Sequence, residues 1–224
     1  MIYDGHAYAF PDLRSEVGFD DTREMCRHLQ LAIASHFQPV RRKRDGASAD
    51  NSGLIDSSKP RGLEALRETD FRPTSFGRFE WTVDGEDYVK QYMPPLVADM
   101  SFLADNLVAE MDHAGVDMAL IHRTPYFGNT NDFYAECVRR HPNRLQALAY
   151  VEEWKIQTEP DPSISKLDSA IKGFGLHGLQ LLPDHPRAGH GEDRSRPPHL
   201  GHRHSDGDAL CDVSPEPRCF EGQP

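Results

Sequence analysis

The spacing of apolar and polar residues changes several times along the chain, and each change marks an element. Ile2 and Tyr3 open a β-prone run that passes through Asp4 and His6 and stops at Pro11, a residue unable to donate to a central ladder. Side chains on a strand repeat every second residue, so Asp4, His6 and Tyr8 are expected on one face and Gly5, Ala7 and Ala9 on the other. Asp21 and Glu24 have the spacing of a capping box. Met25, Leu29, Ala32, Ile33 and Phe37 then recur at helical spacing until Pro39, which predicts a helix over roughly 22 to 37. His28 and His36 on that helix read as solvated. From Arg41 to about Arg72 the chain is polar and broken, which predicts a long loop. Its run Arg41-Arg42-Lys43-Arg44 reads as a solvated turn, with a carboxylate site as the alternative.

Phe79 to Lys90 has the pattern of a hairpin whose Asp84-Gly85 supplies the positive φ angles of a type I′ turn and sets Trp81 opposite Tyr88. Such a ribbon is marginal alone, so it is placed as an insertion covering one end of the domain. Beyond Pro95 the pattern becomes regular. Leu103 to Gly115, Asp132 to Arg140 and Ile164 to Ile171 read as helices, and Val116 to Ile121, Leu145 to Val151 and Leu176 to Leu182 as strands. Helix and strand alternating at short spacing predict an α/β fold with a parallel sheet and crossover helices, its chemistry in the βα loops.

From Asp184 to Pro224 the composition shifts to Pro, Gly, His, Arg and Asp, with no Lys, Ile, Met, Asn, Thr, Tyr or Trp. Neither period is present, so a disordered tail is expected, of the kind a reading-frame shift in a GC-rich gene would write, with a natural disordered tail as the competing account. His199, His202 and His204 lie in it without a fold to hold a metal.

Charge narrows the partners. The 224-residue chain carries a formal net charge of -11, which argues against nucleic acid or an anionic membrane and leaves a small-molecule substrate as the expected partner. The four cysteines are scattered without C-x-x-C spacing, so neither a zinc ribbon nor a disulfide framework is signalled. No apolar run approaches the ~20 residues that span a bilayer, and the first residues lack a signal-peptide pattern. A cytoplasmic protein is expected.

Four stretches carry a family resemblance: Asp4-Gly5-His6-Ala7-Tyr8; Met111-Asp112-His113-Ala114-Gly115-Val116-Asp117; Pro142-Asn143-Arg144; and Gly173-Phe174-Gly175-Leu176-His177-Gly178-Leu179-Gln180-Leu181. In order and spacing the chain resembles the first half of the amidohydrolase-related metal-dependent hydrolases, including the aminocarboxymuconate-semialdehyde-decarboxylase-like branch. The resemblance implies a partial TIM-like (β/α) barrel over residues 1 to 183, with about four of the eight strands and an insertion at about 40 to 94. It also implies a divalent metal, zinc or manganese, with His6 as ligand. Tyr8 stands where the family has its second His and becomes a substrate contact, and Asp4 braces the strand or the ligand shell as a catalytic residue. Glu152 is the candidate second acid, and His122, Arg123 and Asn131 are candidate substrate contacts at strand ends and βα loops. The implied activity is hydrolysis, or non-oxidative decarboxylation, of a small carboxylate-bearing or cyclic substrate. The competing reading is a non-catalytic half barrel that self-associates through an open sheet edge.

Overall fold

In the computed structural model, residues 1–60, 62–124, 127–128, 130–152 and 155–180 are described. The tail expectation, the boundary at 183 and the end of the last strand lie outside them. In chain order the elements are β1 (Tyr3–Ala7), α1 (Thr22–Ile33), β2 (Val40–Arg42), β3 (Ser48–Ala49), β4 (Arg72–Pro73), β5 (Arg78–Val83), β6 (Glu86–Gln91), α2 (Ala104–Ala114), β7 (Met118–Ile121), α3 (Asn131–Arg140), β8 (Leu145–Ala147) and α4 (Pro160–Asp168). The architecture is mixed α/β with one parallel and one antiparallel sheet.

The parallel sheet has the order β1-β7-β8, and a parallel bridge from Ala149 to Leu179 continues it by one pair. Helices lie between the successive strands, as the alternation of apolar segments predicts. α2 stops at Gly115, whose left-handed φ of 71° frees the Val116 N–H to reach the Met111 carbonyl at 2.9 Å. The helix expected at 164–171 instead starts at Pro160, a residue suited to a first turn, and ends in a π-helical turn over Ser169–Gly173. One face of this sheet packs on α2 and α3 through a core of small residues, among them Ala7, Ala9, Ala119, Ala147 and Ala149, with Leu107, Met111 and Tyr134.

The antiparallel sheet has the order β3-β2-β6-β5-β4. The hairpin forms as predicted, with Asp84 and Gly85 at φ 52° and 77° and Trp81 paired with Tyr88. It is not an exposed ribbon, however. Residues 41 to 72, expected as loop, supply β2, β3 and the edge of β4, so the hairpin becomes the middle of five strands. Phe79 and Trp81 are buried in a core with Met25, Leu29 and Ile33 of α1. Each such side chain contributes on the order of 1.5–3 kcal/mol by leaving water.

α1 ends at Ile33, short of the predicted Phe37, which is 92 % exposed and has nothing to pack against. Its end is held by Lys90 of β6, wholly buried, whose ammonium donates to the Ile33 carbonyl (3.0 Å), the His36 carbonyl (2.5 Å) and Asn51 Oδ1 (3.1 Å). A cation at the carbonyl end of a helix is favoured by the dipole, and all three ammonium donors are used. His28 corrects another expectation, because it is buried against Phe19 at 4.7 Å between ring centroids rather than solvated.

Candidate functional site

β1 and β7 are adjacent and parallel, so their C-terminal ends open on the same side, and the chain leaves them at Tyr8 and His122. There His6 Nε2 and Tyr8 Oη lie 2.6 Å apart, sharing one proton. The His6 and His122 rings lie 4.2 Å apart between centroids, tilted by 34°, and the Tyr8 ring meets Phe127 edge-on at 5.9 Å. His122 Nε2 donates to the Gly5 carbonyl at 2.8 Å; a carbonyl can only accept, so the proton sits on Nε2. Burial pulls the His122 pKa below its ordinary value by disfavouring the charged ring, while the hydrogen bond to the Gly5 carbonyl pulls the other way.

Strict alternation does not hold along β1. Asp4 pairs with Ala119 and Ala7 with Ile121, three steps on one strand against two on the other, which is a bulge across Gly5 and His6. His6 and Tyr8 still meet, whereas Asp4 falls out of line with them and turns its Oδ1 back to accept the His6 N–H at 2.9 Å. Its observed contact is with the strand backbone.

Around Tyr150 a second group of predicted residues gathers. Both amide functions of Asn131 are engaged by the Tyr150 backbone, Nδ2 donating to its carbonyl (3.0 Å) and Oδ1 accepting its N–H (2.7 Å). Asn131 thus anchors α3 to the strand end. Glu152 accepts from Lys166 Nζ through both oxygens at 2.9 and 3.0 Å, and that ammonium lies 4.5 Å from the Tyr150 ring centroid. Glu152 is therefore an ion-paired acid. Arg123 is fully buried, its guanidinium 4.7 Å from the same ring centroid, with Nη2 donating to the Gln180 carbonyl at 3.0 Å. Burial lowers its pKa from the ordinary arginine value. Gln180 Oε1 also accepts the Arg123 backbone N–H at 3.0 Å. Sequence reasoning passed over Gln180 and Lys90, although a polar letter within an apolar strand was the available signal for both.

Among the described residues no three His, Cys, Asp or Glu side chains converge as a metal centre. One nitrogen of each imidazole is engaged, His6 Nε2 with Tyr8 and His122 Nε2 with Gly5, and Asp4 Oδ1 accepts from the His6 backbone. Among the described residues no helix is long and apolar enough to cross a membrane.

No family model matches the chain, and no curated protein does. A solved structure, a probable 2-pyrone-4,6-dicarboxylic acid hydrolase from Acinetobacter baumannii with citric acid bound, is similar at 18 % identity with a TM-score of 0.28. That match covers 41 % of this chain and 30 % of the other.

Proposed function

We propose that this chain is a hydrolase of the amidohydrolase-related kind, built on a partial (β/α) barrel and acting on a small carboxylate-bearing or cyclic substrate at the ends of β1 and β7. One observation carries the reading: His6, Tyr8 and His122 converge where two adjacent parallel strands end, the position at which such sheets keep their chemistry. His6 is exposed and Tyr8 partly so, and a substrate carbonyl reaching this mouth would meet both. With its Nε2–H donating to the Tyr8 oxygen, His6 takes a proton from water on Nδ1 as the water oxygen adds to the acyl carbon. The C–O bond of a cyclic ester then breaks, and the same proton passes to the leaving oxygen. The Tyr8 oxygen accepts from His6 Nε2–H and so orients the ring, the Tyr8 O–H donates to the developing negative charge, and His122 lies against the ring that becomes charged. Buried Arg123, next in sequence to His122, adds fixed positive charge suited to a substrate carboxylate.

The test is ring opening across a panel of small carboxylated lactones, followed by proton release and by product mass. His6→Ala should lower kcat/KM by about 10²–10⁴-fold, the usual contribution of a positioned acid or base. Release of carbon dioxide in place of ring opening would move the reading to decarboxylation. Wild-type protein that does neither, or an active His6→Ala variant, would sink it.

A further inference from the structure

The face of the antiparallel sheet that packs on α1 runs on past the helix to the hairpin turn, and there it leaves a cavity of about 510 Å³. That volume lies within the roughly 300–1,000 Å³ of small-molecule sites. Trp81, 1 % exposed, reaches from the core into this cavity and stacks with Tyr88 at 6.0 Å between centroids and 17° between planes. Its indole N–H donates to no other described residue, whereas a buried tryptophan usually finds an acceptor. Gly53 keeps that nitrogen uncovered, since a Cβ there would stand 3.5 Å from Nε1 and 2.9 Å from Val83 Cγ2. On the rim stand two guanidinium groups. Arg42 is held bidentate by Asp45 at 3.0 and 2.6 Å, while Arg67 makes no ion pair among the described residues. Asp50 and Asp84 line the same cavity.

We propose that this cavity is a second binding site, separate from the strand-end histidines, and that it takes a small aromatic monocarboxylate. The ring packs on the Tyr88 and Trp81 pair, and the carboxylate accepts from the indole N–H and from Arg67. Asp50 and Asp84 set the specificity, because they repel a ligand carrying a second carboxylate.

The chain has two tryptophans, so Trp154→Phe in the full-length protein leaves Trp81 as the reporter. Titration with benzoate should change its emission saturably, with benzamide and phthalate binding more weakly. Arg67→Ala should weaken benzoate by about tenfold, the size of one charge-assisted hydrogen bond. Gly53→Val should abolish the response by covering Nε1. Thermal melting checks that each variant folds, and Arg67→Ala, at an exposed position, keeps the test decisive if Gly53→Val does not fold. His6→Ala should leave benzoate binding unchanged. A response absent in the parent, equal in Arg67→Ala, or lost in His6→Ala would overturn the proposal, the last by assigning benzoate to the strand-end site.

Discussion

The core under the antiparallel sheet is made of Phe71, Phe79, Trp81 and Met93, whereas the parallel sheet meets its helices largely through alanines, Ala7, Ala119, Ala147 and Ala149 among them. The two halves therefore rely on different physics. Aromatic bulk holds the first through buried area. Small side chains hold the second by letting helix backbones lie close to the strands, so that its stability rests on fit. The half with the plainer sequence period carries less side-chain volume, and the half that reads as polar loop carries more.

Removing bulk and adding it should hurt opposite halves. Trp81→Ala should destabilise by about 3–5 kcal/mol, the cost of emptying a large aromatic site. Ala147→Leu, fully buried in the other core, should cost about 1–3 kcal/mol by overpacking. Urea titrations of the two variants measure both. If Ala147→Leu were neutral, the parallel half would be loosely packed and the contrast would fail.

A smaller effect probes the junction of α1 with its sheet. Burial pulls the Lys90 amine down to about 8, below the ~10.4 of an unfolded lysine. Between those values the unfolded chain holds a proton that the folded chain has released, so Lys90 makes stability rise with pH across that window. Below it both states are protonated, and the cost of burying the charge is paid in full. The urea midpoint of wild type, less that of Lys90→Met, should therefore increase from about pH 7.5 to about pH 10. A constant difference would show that the three carbonyl-type acceptors of Lys90 hold its pKa at the ordinary value.

How much of this could be read in the sequence followed from the length of each signal. α2, α3 and the hairpin declare themselves because a period or an Asp-Gly turn lies within one short stretch. β2, β3 and β4 do not, since each has two or three residues and gains meaning only from partners far along the chain. At the candidate site the meeting of His6 with Tyr8 was legible from alternation. The places of Asp4, Asn131 and Glu152 were not, because a bulge, a backbone clamp and an ion pair with Lys166 set them.

The bulge in β1 also stores length. Between the fixed pairs Asp4 with Ala119 and Ala7 with Ile121, the strand carries one residue more than its neighbour, about 3.3 Å of contour that a regular parallel strand would not need. Deleting Gly5 would take up that slack with both pairs still in place, setting His6 opposite Leu120 in an unbroken ladder. The strand would survive the shortening, but the imidazole would be drawn back along the sheet, away from the hydroxyl it now touches. At this point the chain can lose a residue more cheaply for its fold than for its chemistry.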